Sequence, residues 1–420
     1  KKKLNSTKME LASTVFTKFR DIHPILKIGI GACSAILLRQ IGAKISHQLY
    51  QQPNGPEGYP VIGSIPYIIS QSPITFFAYT LSSYGPITCF SLGLKKVVLI
   101  NDPFLAKKIY SNPITLDKQQ RGSTHANPLG LLNGNKWKQR RKVLHLNMIN
   151  VLKTSFLEQG IKSFFKEIMS NIINKHCING TELVLGSILK PLVFNIIFFA
   201  CFGTYLKSLD DTFWKELNNK IKSHTSNTLM RMGKSVIYGE NGWIDNEWNE
   251  ILVFIKDYID KNNICEIAKK NENCIYYRLY NDKDNDMNEL DVISEILGLF
   301  IGSIEASSTT MYFNILLLSK YPDVQTMIYK ELQAIKTEND DENEPEPGID
   351  LNANNLINLP YFRSMIHETM RLYPVTIGTA PRAIKKSFVV DNVKSICGRT
   401  KSYVIPKGCL LQVNTIGISR

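Results

Sequence analysis

The sequence predicts a mainly α-helical protein with small β-sheets, an α+β chain of 420 residues. Two observations carry this. Helical patterns dominate from Asp102 to about residue 335, and short β-rich runs bounded by Gly and Pro occur only near the two ends of the globular part. A third sets the scale: hydrophobic content of 44% with 21% charged residues is ordinary for a globular chain, and its length can bury a large core.

Taken in order, residues 1–50 form a basic N-terminal segment and residues 51–420 the globular body. The chain starts at Lys1, and Met9 is its first methionine. "DIHPILKIGIGACSAILL" (Asp21 to Leu38) holds an uncharged run from Ile28, flanked by Lys18, Arg20, Lys27, Arg39 and Lys44. It is short for a bilayer span of about 20 apolar residues. It is read as a single N-terminal membrane anchor, with a cleaved targeting segment or a buried helix as alternatives.

"QQPNGPEGYPVIGSIPYI" (Gln51 to Ile68) is too rich in Pro and Gly for a long helix and reads as a stiff link. "ITCFSLG" and "KVVLI" then predict a hairpin around Gly93-Leu94-Lys95. Asp102 caps the next helix and Pro103 opens it. Polar breaks are expected at Cys177 to Thr181 and Asn271 to Asn288. "LPYFRSMIHETMRLYP" predicts a helix from Pro360 that ends at Tyr373, before Pro374. "SYVIP" and "CLLQV" predict a second hairpin around Pro406-Lys407-Gly408.

Composition excludes several functions. The eight cysteines form no CxxC pair, and the seven histidines show no HExxH spacing, so no zinc or dithiol motif is present. The net charge is +13, and seven of the 37 acidic residues lie in "KTENDDENEPEPGID", read as a disordered loop. Without those seven acids the chain holds 30 acidic against 50 basic residues, which favours an anionic partner. No aromatic and basic interleaving points to nucleic acid.

Three stretches carry chemistry. In "GNKWKQRRKVLH", Trp137 and Arg141 are four apart on one helical face, a pairing suited to an anion. In the Pro360 helix, Glu368 and Arg371 are three apart, and Met365, Ile366 and Leu372 predict that this helix is largely buried. "SEILGLFIGSIEASSTTMYFNILLLSKYP" is apolar nearly all round, with a polar island at Ser303 to Thr310 that needs partners or a cavity.

These three elements, in this order, resemble the cytochrome P-450 family, the haem-thiolate monooxygenases. "GPEGYPVIGSI" is similar to the family's proline-rich hinge, "WKQRR" to its WxxxR helix and "NIIFFACFG" to a common family stretch. The polar island resembles the oxygen-binding helix, "ETMR" the ExxR helix, and "PRAIKK" and "IPKGCLLQVNTIGISR" the segments after it.

The resemblance implies haem as cofactor, a small hydrophobic substrate oxidised with dioxygen, a flavoprotein reductase as electron donor, and an endoplasmic-reticulum membrane location. It assigns Trp137, Arg141 and Arg382 to the haem propionates. Glu368 and Arg371 become the buried pair behind the haem, and Lys138, Arg140 and Lys142 border the reductase face. Glu305 and Ser307 are the residues assigned to oxygen chemistry.

Two departures stand out. Ala306 occupies the position of the oxygen-activating threonine. Ser307 points about 100° away on a helix, and Ser303 is the hydroxyl one turn back. In addition, nothing matches the FxxGxRxCxG loop that supplies the axial thiolate. Cys397 lacks its Phe and Gly, and Cys409 reads as a packing residue. The expectation is therefore a scaffold cut before its haem-ligand loop, with no metal ligand and no catalysis by these residues alone. The alternatives are an inactive relative acting as a membrane-associated binding protein, and a relative that rearranges fatty-acid hydroperoxides.

Overall fold

The computed structural model describes residues 52–418 apart from 94, 116, 120–125, 153–154, 173–175, 177, 207–211, 227–244, 283–286, 335–355, 357, 395–397 and 399. The N-terminal anchor, the acidic run and Cys397 lie outside the described residues. The main elements are α1 (Ile65–Gln71), β1 (Ile87–Leu92), β2 (Lys95–Ile100), α2 (Pro103–Tyr110), α3 (Gly134–Leu152), α4 (Ser155–Ile172), α5 (Leu185–Phe202) and α6 (Thr212–Ser226). There follow α7 (Asn246–Lys261), α8 (Ile264–Ala268), α9 (Ile275–Tyr280), α10 (Glu289–Lys320), α11 (Pro322–Gln333) and α12 (Pro360–Leu372). The last strands are β3 (Arg382–Ala383), β4 (Phe388–Lys394), β5 (Thr400–Ile405) and β6 (Leu410–Val413). The chain is mainly helical with small sheets, and it divides into two compact units.

The first unit contains residues up to Ser111 together with Ile384–Leu411. β1 and β2 form the expected antiparallel hairpin, from Ile87 opposite Ile100 to Leu92 opposite Lys95. Gly93 turns it with a φ of 57°, where a side chain would be strained. Phe76, Phe77 and Phe90 meet edge to face at 5.6–5.9 Å, and Leu410 joins Phe76, Phe90, Val97 and Leu99 in a small core. Asp102 caps α2 by accepting from the Leu105 N–H at 2.7 Å.

The Pro/Gly-rich stretch read as a stiff link lies along β1. The Cys89 N–H donates to Asn54 at 2.9 Å, and the Ser64 N–H donates to Ser91 at 2.6 Å. A Cβ on Gly55 would fall 1.7 Å from the Cys89 carbonyl oxygen, so only glycine allows this approach. One expectation fails in this unit: the late hairpin is absent. β5 pairs with β4, from Phe388 opposite Ile405, across a bulge between Val390 and Val393. The Gly408 N–H turns away to the Ile384 carbonyl at 2.7 Å. Cys409 is buried, and burial pushes its thiol up to about 12.

The second unit comprises Asn112–Ala383 and Gln412–Arg420. α10 and α5 form its centre. Phe194 stacks on Trp214 at 4.8 Å and meets Phe300 edge-on at 5.1 Å. α6, α7 and α9 close around them through Leu217, Ile255 and the fully buried Tyr276. The polar break expected at 271–288 thus contains a buried helical turn, α9. α5 is long and apolar enough to cross a membrane, yet most of it is buried in this core. Pro360 opens α12 and Tyr373 caps its end, as expected.

Candidate functional site

The second unit holds a half-open cavity of about 540 Å³. α10 supplies one wall. Its start is fixed by a capping box between Asn288 and Asp291. Val292, Ile293, Ile296 and Phe300 face the core, so Gly298, Leu299, Ile301 and Gly302 are left to the cavity. A Cβ on Gly302 would meet nothing within 4 Å, which leaves a flat, open surface there. α3 supplies a second wall through Arg141, Leu144, His145 and Met148, which share one helical face.

A segment at Pro128–Leu131 lines the cavity between these helices and is held by one carboxylate. Glu295 accepts from the Leu129 N–H at 2.9 Å and from Arg140 at 3.1 Å. Glu295 is buried at 3% side-chain exposure, and Arg140 is largely shielded at 13%. Burial raises the Glu295 carboxyl above its ordinary range, against the opposing pull of the Leu129 N–H and Arg140. Arg140 therefore points inward and is no part of an exposed basic face. Lys138 and Lys142 are exposed.

Cations gather at one edge. The Arg141 guanidinium lies 5.2 Å from the centre of the Trp137 ring, so the sequence pairing is real. Lys118 lies 5.6 Å from the same ring and donates to the Leu129 carbonyl at 2.7 Å. A backbone bridge joins Lys118 to Arg382, flanked by the Gln119 N–H donating to Pro381 at 2.9 Å. Burial and then the Arg382 charge push the Lys118 amine down to about 8. Lys118 and Arg141 line the cavity, whereas Arg382 is placed beside it through Lys118. The sequence reading missed Lys118, an isolated lysine in irregular chain whose partner strand comes far later.

The other expected residues lie elsewhere. Glu305 pairs with Lys190 of α5 at 2.6 Å and is not on the cavity wall. Ser307 is exposed. The polar island is satisfied by its own helix: Ser303 donates to Leu299, Ser308 to Ile304 at 2.6 Å and Thr310 to Ala306 at 2.9 Å. Glu368 and Arg371 form a two-pronged pair at 2.8 and 2.7 Å, but both are about half exposed. Thr369 is the one buried residue of α12 among the described residues, so the expected burial of that helix is not seen.

The sequence matches the cytochrome P-450 family over residues 53–420. The chain belongs to the cytochrome P-450 family. It is similar to a probable cytochrome P-450 (515A1) of Dictyostelium discoideum, 23% identical over 88% of this chain and 74% of the relative. A probable cytochrome P-450 (313a2) of Drosophila melanogaster is also 23% identical, over 89% of this chain and 76% of that one. The (S)-N-methylcoclaurine 3'-hydroxylase isozyme 1 of Eschscholzia californica is 21% identical over 88% and 74%. Haem is the cofactor of this family, and the cationic edge of the cavity fits its two carboxylates. A pair of propionates would supply the anion that the depressed Lys118 amine and neighbouring Arg382 call for. No described cysteine lines the cavity of this cytochrome P-450. Burial pushes the thiols of Cys89 and Cys265 up to about 11, which opposes a ligating thiolate.

Proposed function

We propose that this cytochrome P-450 binds haem against Lys118, Trp137 and Arg141 and acts on a small hydrophobic molecule in the cavity, as a monooxygenase served by a reductase. Bound haem would supply the oxidising chemistry. Arg141, steadied by the Trp137 face, and Lys118, anchored on Leu129, would hold the propionates, with Arg382 raising the local positive potential. Gly298, Leu299, Ile301 and Gly302 would present apolar surface to substrate and keep water from it. Exposed Lys138 and Lys142 provide the charge for an acidic electron donor. N-terminal membrane anchoring, in sequence outside the described residues, belongs to the same reading.

The single supporting observation is the cationic edge on an otherwise largely apolar cavity. The test is an absorption titration of the purified chain with haemin. We expect saturable one-to-one binding that weakens roughly tenfold or more in Arg141→Ala or Lys118→Ala, since a charged hydrogen bond is worth about 1.5–3 kcal/mol. Unchanged affinity in both variants would refute the assignment.

A second reading rests on α10. Ala306 offers no hydroxyl, Ser303 is committed to the Leu299 carbonyl, and Glu305 is paired with Lys190. These residues therefore bring no free proton donor to dioxygen. A hydroperoxide already carries its O–O bond, so rearranging it makes no such demand. Turnover of a fatty-acid hydroperoxide without reductase would favour this reading, and reductase-dependent oxidation alone would remove it. The inactive binding relative remains the outcome if haemin does not bind and a hydrophobic ligand does.

A further inference from the structure

We propose that His224, Asp245 and Glu247 form a site for one divalent transition-metal ion that joins the end of α6 to the start of α7. His224 lies in the last turn of α6, Asp245 is the N-cap of α7 and Glu247 is in its first turn. One ligand atom from each lies within 4.8 Å of the other two. The His224 Nδ1 is 3.9 Å from Asp245 Oδ1 and 3.6 Å from Glu247 Oε2. A direct charged hydrogen bond would close to about 2.8 Å. These groups instead surround a common point at a spacing an ion can fill. Bonds of about 2.1 Å in a tetrahedral set place ligands about 3.4 Å apart, so loading draws His224 and Asp245 together by roughly half an ångström and no pair by more than about 1.4 Å.

Helix-end electrostatics explain part of this, because acids suit a helix start and histidine a helix end. They do not explain why His224 and Asp245 are more than nine-tenths buried, at 8% and 6% exposure. The site is also pre-oriented. The Trp248 N–H donates to Asp245 Oδ1 at 3.2 Å, and the Trp248 ring stands edge-on to His224 at 5.8 Å. Such supporting contacts fix ligand direction. One imidazole with two carboxylates suits Zn²⁺, Mn²⁺, Fe²⁺ or Co²⁺ better than Ca²⁺ or Mg²⁺, which prefer oxygen alone. His224, Asp245 and Trp248 all line the cavity, so a bound ion would clamp that wall.

The test is titration of chelator-treated, haem-free chain with Co²⁺, followed by visible ligand-field bands, with Zn²⁺ as competitor and melting temperature as a second readout. We expect one equivalent bound, displacement by Zn²⁺, and a melting temperature that rises with metal. Affinity should fall at least about tenfold in His224→Ala and in Glu247→Gln. His176→Ala, at a partly exposed histidine elsewhere, should bind as the parent does. Glu247 is partly exposed, so its variant keeps the test valid if His224→Ala fails to fold. No saturable binding, or binding equal in Glu247→Gln and parent, would overturn the proposal and leave a helix-end ion pair. Haemin binding is read separately and does not depend on the result.

Discussion

Replacing Arg140 by Ala should unfold this protein far more readily than its place in a lysine-rich helix implies. Glu295 is buried, Arg140 keeps only 13% side-chain exposure, and the two are 3.1 Å apart. Removing one member of a buried pair strands the other charge, at about 3–5 kcal/mol. An exposed pair is worth about 0–1 kcal/mol. Glu295 keeps its hydrogen bond from Leu129, which moves the expected loss to the lower end, about 3 kcal/mol. The pH dependence gives a second, independent check. Glu295 titrates above its ordinary range, so between its unfolded and folded values the folded chain holds a proton that the unfolded chain has lost. Stability from this group is present at acid pH and is lost as pH rises through the folded-state value. Loss of Arg140 raises that value further. The deficit of the variant should therefore be largest near neutrality and shrink towards pH 4–5. The assay is urea unfolding of parent, Arg140→Ala, Glu295→Gln and the double variant at several pH values. In the double variant the stranded charge is gone, so most of the loss should return. A deficit below about 1 kcal/mol, or one constant with pH, would refute the reasoning.

Three further outcomes are expected. Lys118 titrates below its ordinary value, at about 8, so the unfolded chain binds more protons between about 8 and 10.5 and stability from this group rises with pH there. Haemin affinity should instead fall as pH passes 8 and the ammonium is lost, and Lys118→Met should flatten that profile in a titration series. Gly160→Ala should destabilise despite a helix-propensity gain of up to about 1 kcal/mol. Its Cβ would meet Phe199 at 2.3 Å and the Tyr205 hydroxyl at 2.6 Å, an overpacking cost of about 1–3 kcal/mol, measurable by thermal melting. Glu368→Ala should leave the melting temperature unmoved, because its partner Arg371 is equally solvated, whereas a marked drop would show the pair buried.

What could be read from sequence was what neighbours along the chain decide. Asp102-Pro103 starts α2 because cap and ring act within one turn, and Pro360 and Tyr373 bound α12 for the same reason. Trp137 and Arg141 meet because four residues make a helical turn. The failures all turn on partners supplied from far away. Arg140 faces inward because Glu295 waits 155 residues later. Glu305 is drawn to Lys190, 115 residues earlier. β5 chose β4 over β6 because a tight turn at Gly408 does not itself decide which strand returns. Of the cavity only the Trp137–Arg141 pairing was legible; the polar island is absorbed by its own helix, and the cationic edge required Lys118 and Arg382 to be joined by a backbone bridge no local pattern encodes.

The stretch from Gln52 to Ser64 has a consequence for solubility. β1 is the outermost strand of its sheet, and an outer strand offers unpaired N–H and C=O groups to any passing chain. Asn54 and Ser64 occupy those groups on β1, and glycine at 55 lets the backbone sit close enough to do so. The segment thus acts as a guard against edge-to-edge polymerisation. A protease cut near Glu57, or a bulky residue at position 55, would uncover the strand and open it to β-aggregation.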